Sequence, residues 1–201
     1  MGNKVEQSRN VYNRMALEYD SSPEGNYTRP HKAALLKRVA LRGGDNILDV
    51  ACGNGRLLGA LSKKAGVDAF GVDISENMIA VAKERYPGCH FSVGPCVPLA
   101  FENERMDAVT VSCAFHHFEA PQAFANECMR VLKKGGRVYV AEPFFPPAVR
   151  WLANRLVFPF FKTGDVKVYS QRELGAFFEL AGFTEIETHV EGPVLFCAAK
   201  K

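Results

Sequence analysis

Short apolar runs alternate with amphipathic stretches between residues 46 and 142. The β-rich runs occupy residues 47–50, 69–72, 91–93, 108–111 and 138–141. Between them, apolar residues recur at helical spacing over lengths typical of crossover helices. This alternation predicts right-handed crossovers and a mainly parallel, doubly wound α/β sheet with helices on both faces.

The helix ends carry clear sequence signals. Ser75 is expected to cap one helix, and Pro121 to begin another. Ser170 and Glu173 form a capping-box pattern before a further helix, which Gly182 ends. Two late β-rich runs follow, at 184–190 and 194–198. The Glu-rich alternation of the first predicts an edge or half-exposed strand.

Two segments lie outside the alternation. Residues 1–41 are predicted to be a helical cover, and residues 143–169, rich in Pro and Phe, an inserted lid. Both are expected over the carboxyl ends of the strands, where open α/β sheets bind ligands. With a core at 46–142 and a C-terminal unit at 170–201, the 201 residues are expected to form a single domain.

Composition excludes several classes of protein. Apolar residues make up 47% of the chain and charged residues 23%, as in a soluble globular protein rather than a disordered or coiled-coil chain. A net charge of +3 without a basic cluster argues against a nucleic-acid partner. No Cys-x-x-Cys pair is present among the six cysteines, so we expect reduced thiols. We also expect no metal, because no cluster of ligating residues is visible.

No targeting or membrane-spanning pattern is apparent. The first twenty residues carry charges throughout, and no apolar run approaches the roughly 20 residues that a membrane span requires. We therefore expect a cytoplasmic protein without stable membrane insertion.

The segment 47–57 is predicted to form a strand, a tight turn and a helix. Gly53 and Gly55 allow a ligand to approach bare backbone and allow positive φ angles. Asp49 at the strand end would repel a pyrophosphate and attract a cation. Asp73, at the end of the next strand, is able to accept hydrogen bonds from a ribose diol. A nicotinamide site would also use Asp73, but Asp49 and the absence of a third glycine oppose an NAD-dependent oxidoreductase.

Several motifs together resemble the class I S-adenosylmethionine-dependent methyltransferases that act on small molecules. The turn 49–55 is similar to the family's glycine-rich first motif, and 73–78 to its second. Residues 106–118 resemble the fourth strand with its active-site loop, and 127–137 the helix and turn before the fifth strand. Tyr12, Tyr19 and Asp20 resemble the N-terminal helix that closes over the cofactor. The resemblance implies a seven-stranded sheet with the last strand antiparallel.

The resemblance also implies the roles of individual residues. Asp49 would favour the cationic methionyl end, Asp73 would hold the ribose, and Ile74 and Met78 would lie beside the adenine. The cofactor site, for S-adenosylmethionine and its product S-adenosylhomocysteine, is expected to comprise Tyr19, Asp49, Ala51, Cys52, Gly53, Asn54, Gly55, Asp73, Ile74, Met78, Pro95, Cys96, Val97 and Ser112. His116 and His117 are candidate bases, although in-line methyl transfer needs little beyond positioning.

Two positions depart from the family pattern. Ala51 replaces the usual first glycine; because Ala is small, we expect binding to survive if φ there is negative. Pro95 stands where many relatives have an aspartate that holds the adenine amino group, and it lacks both a carboxylate and an N–H. The backbone of Cys96 or Val97 is the expected substitute.

The role of the 143–169 segment remains open between three interpretations. It contains the single Trp, Trp151, and is able to pack on the sheet, to form a lid for an apolar or aromatic acceptor, or to lie at a membrane surface with Arg150, Arg155 and Lys162. The leading hypothesis is methyl transfer to a small-molecule acceptor by in-line displacement. A non-catalytic cofactor-binding protein of the same fold is the alternative. The sequence specifies neither the acceptor nor the oligomeric state.

Overall fold

The computed structural model describes residues 4–160 and 163–201. Phe161 and Lys162 of the predicted lid lie outside the described residues. The helices are α1 (Lys4–Met15), α2 (Pro23–Arg38), α3 (Arg56–Ala65), α4 (Glu76–Arg85), α5 (Pro121–Val131), α6 (Pro147–Leu152) and α7 (Gln171–Leu180). The strands are β1 (Asn46–Val50), β2 (Asp68–Asp73), β3 (His90–Val93), β4 (Met106–Ser112), β5 (Leu132–Pro143), β6 (Thr184–Glu191) and β7 (Val194–Lys200).

The seven strands form one sheet in the order β3-β2-β1-β4-β5-β7-β6. The first five strands pair in parallel, and β7 pairs antiparallel with both β5 and β6. The predicted mainly parallel sheet with an antiparallel last strand is therefore confirmed. The strand order reverses between β1 and β4, the position at which open α/β sheets bind ligands. The Glu-rich strand β6 lies at an edge, as its alternation predicts.

Helices cover both faces of the sheet because alternate residues of each strand point to opposite sides. Leu48 of β1 packs with Phe124 of α5 and Phe178 of α7 in one buried cluster. Its neighbour Ile47 lies in the other cluster, with Leu35 of α2, Leu58 of α3 and Ile79 of α4. The two buried clusters pack against opposite faces of the sheet and hold the strands in place.

The predicted helix caps form. The Ser75 side chain accepts a hydrogen bond from the Met78 N–H at the start of α4. At the start of α7, Ser170 and Glu173 make the reciprocal capping box. Each cap satisfies an N–H group that the helix itself leaves unpaired.

The two predicted covers differ, because residues of the N-terminal one line the cavity at the carboxyl ends of the strands and none of the described residues of 143–169 does. The N-terminal cover consists of α1, a 3₁₀ turn at Tyr19–Ser21, and α2. The second cover is α6, which continues as a wider π-type turn over Ala153–Val157. No helix in the described part of the chain has the length and apolar character needed to cross a bilayer.

Candidate functional site

A cavity of about 290 Å³ opens at the carboxyl ends of β1, β2 and β4. The turn after β1 and the ends of β2 and β4 form its floor, and α1 with the 3₁₀ turn covers it. Its walls include Val5, Ser8, Tyr12, Tyr19, Lys32, Asp49, Ala51, Cys52, Gly53, Asp73, Ile74, Met78, Pro95, Cys96, Val97, Ser112, Cys113, His117, Phe118 and Glu119. Twelve of the fourteen predicted cofactor residues are therefore brought together; Asn54 and Gly55 are the exceptions.

The turn after β1 is held in place by backbone hydrogen bonds. The Cys52 N–H donates to the Val72 carbonyl at 3.1 Å, and the Gly53 N–H donates to the Asp73 carboxylate at 2.8 Å. Gly53 has a φ of +54°, and a Cβ built there would meet nothing within 4 Å. The bare backbone of Gly53 therefore faces open space in the cavity wall.

Gly55 acts in packing rather than in the cavity wall. Its φ is +76°, and an added Cβ would lie 2.7 Å from the Phe91 ring. The residue thus lets α3 begin directly against β3, while Asn54 beside it is buried.

The condition of a negative φ at Ala51 is not met. Ala51 has a φ of +56°, a left-handed conformation that costs a non-glycine residue roughly 1–2 kcal/mol. The turn between the end of β1 and the Gly53 backbone requires this geometry. The small methyl group still lets Ala51 line the cavity.

Asp73 is a buried carboxylate at the end of β2. It accepts hydrogen bonds from the Gly53 N–H at 2.8 Å and the Ser75 N–H at 2.9 Å, one on each oxygen. Burial raises the pKa of Asp73, although these hydrogen bonds act in the opposite direction. Each oxygen retains a lone pair, so the carboxylate is able to accept two hydroxyl groups from the cavity side.

Asp49 lies deeper, between β1 and β4. Its carboxylate accepts a hydrogen bond from the Thr110 hydroxyl at 2.7 Å. Burial raises the pKa of Asp49 to about 7, while Thr110 and Lys32 lower it. A cation in the cavity would favour the ionised form, so the site is suited to a positively charged ligand.

Lys32 is a cavity residue that the sequence analysis missed. Its ammonium lies 5.0 Å from the centroid of the Tyr19 ring and donates to the Thr28 hydroxyl at 3.2 Å. Burial lowers the pKa of Lys32. No local pattern in helix α2 distinguishes Lys32 from its exposed lysine and arginine neighbours.

The two candidate histidines differ in position. His116 is buried, does not line the cavity, and has its Nδ1 2.7 Å from the Glu142 carboxylate. Glu142 also accepts the N–H groups of Ala114, Phe115 and His116 at 2.7–3.0 Å. Glu142 therefore fixes the loop after β4.

A second carboxylate reaches His116 from the lid side. The His116 Nε2 lies 3.4 Å from Asp165, and the His116 carbonyl accepts the Val166 N–H. Burial opposes a charge on His116, but Glu142 and Asp165 outweigh it and raise the pKa of His116. His116 therefore links β5, the loop after β4 and the segment before α7, and its raised pKa favours the protonated form.

His117 lines the cavity directly. Its Nε2 lies 3.3 Å from the Tyr12 hydroxyl and its Nδ1 3.5 Å from the Ser8 hydroxyl. Burial, followed by the positive charge of His116, lowers the pKa of His117 to about 4. His117 is thus a neutral imidazole at neutral pH.

One reason for expecting no metal is wrong. His116, His117 and Asp165 have ligand-capable atoms within 4.8 Å of one another, a cluster that the sequence did not reveal. The His116 Nε2 lies 3.4 Å from the Asp165 carboxylate, and this contact accounts for part of the proximity.

Three observations indicate that the cavity is suited to S-adenosylmethionine. Asp73 has hydrogen-bonding capacity to spare, and the Gly53 backbone faces open space. The Ser112 hydroxyl, which lines the cavity, is buried without a hydrogen-bond partner among the described residues. Such an unpaired buried group is costly unless a ligand satisfies it.

All six cysteines are free thiols, as expected, and four of them are buried. Burial raises the pKa of Cys52 well above the ordinary value of a thiol, so Cys52 is not activated as a nucleophile.

Known methyltransferases are similar to this chain in sequence. A methyltransferase-domain family matches residues 48–140. A demethylmenaquinone methyltransferase of Chlorobaculum tepidum is 34% identical over 146 residues, which are 69% of this chain and 60% of that protein. A ubiquinone/menaquinone biosynthesis C-methyltransferase of Cereibacter sphaeroides is 30% identical over 169 residues, which are 78% of this chain and 68% of that protein.

Two solved structures share the fold. A Haloferax volcanii methyltransferase bound to the Trm112 activator has a TM-score of 0.78 at 20% identity, covering 94% of this chain and 96% of that one. The phosphoethanolamine N-methyltransferase 2 of Haemonchus contortus, in complex with S-adenosyl-L-methionine, has a TM-score of 0.75 at 18% identity, covering 94% of this chain and 57% of that one.

The doubly wound sheet with its antiparallel seventh strand, and the acidic, glycine-lined cavity at its switch point, are the marks of a class I methyltransferase. The chain belongs to the family of class I S-adenosylmethionine-dependent methyltransferases. It covers 60% of the length of the Chlorobaculum relative, less than two thirds.

Proposed function

We propose that this protein transfers the sulfonium methyl group of S-adenosylmethionine to a small, largely apolar acceptor of the quinone class. The observation that carries the proposal is the convergence of Asp49, Gly53 and Asp73 on one cavity at the strand switch point. The quinone class is suggested by the names of the Chlorobaculum and Cereibacter relatives.

The cofactor end of the cavity lies along β1 and β2. Asp73 would accept the ribose hydroxyls, and the Gly53 backbone would contact the amino-acid portion. Ile74 and Met78 would flank the adenine, and Ser112 would donate its free hydroxyl. Tyr19, Ala51, Cys52, Pro95, Cys96 and Val97 would complete the walls, while Asn54 and Gly55 would support the turn from behind.

The adenine edge has a carboxylate that the sequence reasoning overlooked. Glu119 lines the cavity, and its charge is near enough to act on Cys96. We assign to Glu119 the role that an aspartate fills in many relatives, in place of Pro95. Its carboxylate would accept a hydrogen bond from the adenine amino group, alongside the backbone of Cys96 or Val97.

The chemistry requires mainly positioning. The bound cofactor supplies an electrophilic methyl group on a positively charged sulfur. Asp49 stabilises positive charge at that end of the cavity, and the covers exclude water. His117, neutral and hydrogen-bonded to Tyr12, is able to accept a proton or hydrogen bond from an acceptor hydroxyl. His116 is proposed to act as a positioning residue, since Glu142 and Asp165 hold it beside His117.

Calorimetric titration with S-adenosylhomocysteine tests the cofactor assignment. Asp73→Asn and Asp73→Ala are each expected to weaken binding by about tenfold or more, because hydrogen bonds to a charged acceptor contribute about 1.5–3 kcal/mol each. Asp68→Ala is the matched control, because Asp68 is exposed at the opposite end of the same strand. Thermal melting of each variant separates lost binding from lost folding.

Turnover then tests the acceptor. We expect release of S-adenosylhomocysteine, followed by mass spectrometry of a methylated product, with a reduced short-chain naphthoquinone lacking the ring methyl. Methylation of only polar amines or phosphate esters would contradict the quinone assignment. Cofactor binding without turnover across a broad acceptor panel would favour the non-catalytic alternative, and tight NADH binding would favour an oxidoreductase.

A further inference from the structure

Half of the exposed large apolar side chains in the described residues lie in one short segment. Five of ten belong to residues 149–160: Val149, Trp151, Leu152, Leu156 and Phe160, with exposures from 47% to 76%. We call these five side chains the lid face. Val149 and Leu152 are three residues apart on α6, and Leu156 and Phe160 follow at four-residue intervals along its continuation. A concentration of exposed large apolar side chains in one short segment is typical of an interaction site.

The segment is held in place, so the exposure is a fixed feature of its geometry. Ala153 is buried although its neighbours Leu152 and Leu156 are exposed. Asn154 makes two reciprocal hydrogen bonds with the Val168 backbone, both at 2.9 Å. These contacts attach the segment to the chain that precedes α7 while the lid face stays exposed.

The lid segment itself carries charges of a single sign. Arg150 and Arg155 lie beside the lid face, and residues 143–160 contain no Asp or Glu. Glu173, which lines a surface pocket with both arginines, is paired with Lys167. Neither arginine makes an ion pair with any of the described residues. An apolar surface with Trp, Phe and Leu at its centre and unpaired arginines beside it complements anionic headgroups over acyl chains.

The lid face also adjoins the cavity. The Lys4 ammonium donates to the Phe158 carbonyl at 3.1 Å, and the Ser8 hydroxyl donates to the Thr163 carbonyl at 3.2 Å. Val5 and Ser8 of the same helix line the cavity. The far end of the segment therefore borders the cavity's N-terminal cover.

We propose that the lid face binds the surface of an anionic phospholipid bilayer, with Trp151, Leu156 and Phe160 entering the interface and Arg150 and Arg155 contacting the headgroups. Adsorption of this kind needs no membrane-spanning helix. It would also open the cavity toward apolar molecules dissolved in the bilayer, a consequence that rests on the proposed function. The binding itself does not rest on it.

Trp151, the only tryptophan of the chain, reports directly on this surface. The full-length protein is mixed with vesicles of phosphatidylcholine alone or with phosphatidylglycerol added. We expect a blue shift of Trp151 emission, quenching by lipids brominated on their acyl chains, and co-sedimentation with the anionic vesicles. Added salt should weaken all three signals.

Paired variants distinguish binding by the lid face from non-specific binding by other exposed apolar side chains. Leu156→Ser with Phe160→Ser should weaken vesicle binding by about tenfold or more, given the apolar area removed. Leu17→Ser with Leu180→Ser is the matched control, since both of these leucines are 78% exposed elsewhere on the molecule. Arg150→Gln with Arg155→Gln should abolish the preference for anionic over neutral vesicles.

Binding of S-adenosylhomocysteine, unchanged in all of these variants, is the check on folding. Absence of any Trp151 shift or co-sedimentation would overturn the proposal. So would equal loss in the Leu17/Leu180 control. A different outcome is that the wild-type protein self-associates in sedimentation velocity and fails to bind vesicles. If Leu156→Ser with Phe160→Ser then removes the self-association, the lid face binds a second copy of the chain.

Discussion

At the scale of single residues, Glu142 is the most heavily used carboxylate of the site. Three backbone N–H groups and the His116 ring converge on it in a buried position. Burial would raise the pKa of Glu142, but His116 and the N–H donors outweigh burial and lower it. Because Glu142→Gln leaves two donors facing an amide N–H₂, we expect a loss of about 3–5 kcal/mol of unfolding free energy.

The loss of unfolding free energy in Glu142→Gln should depend on pH, because Glu142 and His116 titrate in opposite directions. The lowered pKa of Glu142 stabilises the fold above the carboxyl's ordinary value, and this contribution is lost as pH falls. The raised pKa of His116 stabilises the fold below its ordinary value of 6.5, and this contribution is lost as pH rises through the folded pKa. The melting difference between wild type and Glu142→Gln should therefore be largest near about pH 5.5. A flat difference across pH would contradict the ion pair; Glu187→Gln, exposed on β6, is the control.

The residues that sequence reasoning found and missed differ in how local their signals are. Asp49, Gly53 and Asp73 stand at strand ends within a short motif, so position in the chain indicates position in the site. Lys32, Glu119 and Asp165 reach the site or its supports from outside that motif. Only the folded chain brings Glu142 to His116, 26 positions away. Ala51 adopts a positive φ because the turn geometry outweighs the preference of an alanine.

At the scale of elements, α1 is attached to the N-terminus of α4 through Asn13. Its side-chain Oδ1 accepts the Ser75 hydroxyl at 2.6 Å and the Asn77 N–H at 3.1 Å, and its side-chain amide donates to Glu76 at 2.9 Å. The Asn77 side-chain amide donates to the Asn13 backbone carbonyl at 3.0 Å. Ser8 and Tyr12 of the same helix line the cavity. The cover is thereby aligned with the strand that carries Asp73.

Removing this attachment should loosen the cover without disturbing the sheet. We expect Asn13→Ala to weaken binding of S-adenosylhomocysteine by about three- to tenfold. The variant loses up to three hydrogen bonds of about 1 kcal/mol each, and part of this free energy stabilises the closed position of α1 that binds the ligand. Calorimetric titration measures the change. Arg14→Ala, at the exposed neighbouring position, should leave the affinity unchanged. Equal effects of the two variants would argue against a closing role for α1.

The elements themselves were predictable where hydrophobic period and capping residues agree. All seven strands form at the predicted runs, with ends extended by one to six residues. The 143–169 segment is different, because Pro, Phe and Trp in an irregular pattern fit a packed helix, a lid and a membrane contact equally well. Its orientation depends on Ala153 and Asn154 contacting residues outside any local motif.

At the scale of the whole molecule, the buried Asp49 carboxyl of the ligand site lowers the free energy of unfolding when it is ionised. Burial raises the pKa of Asp49 to about 7 from an ordinary 3.8, so the folded chain binds this proton more tightly than the unfolded chain. The contribution of Asp49 to stability is therefore greatest at low pH and is lost as pH rises toward 7. A bound cation would restore it by stabilising the ionised carboxylate.

Asp49→Asn should separate these two effects. Without ligand near about pH 8, the variant should be more stable than wild type by on the order of 2 kcal/mol, or about 4–8 °C, because no buried charge forms. Near about pH 4 the two should melt alike, because Asp49 is then protonated in the folded protein. S-adenosylmethionine should raise the melting temperature of wild type more than that of the variant at the higher pH, which differential scanning fluorimetry measures. Asp68→Asn, at an exposed position of the neighbouring strand, should show neither effect. A variant that is less stable than wild type at both pH values would mean that Asp49 serves the fold, and the stability conflict would then have to lie with Asp73.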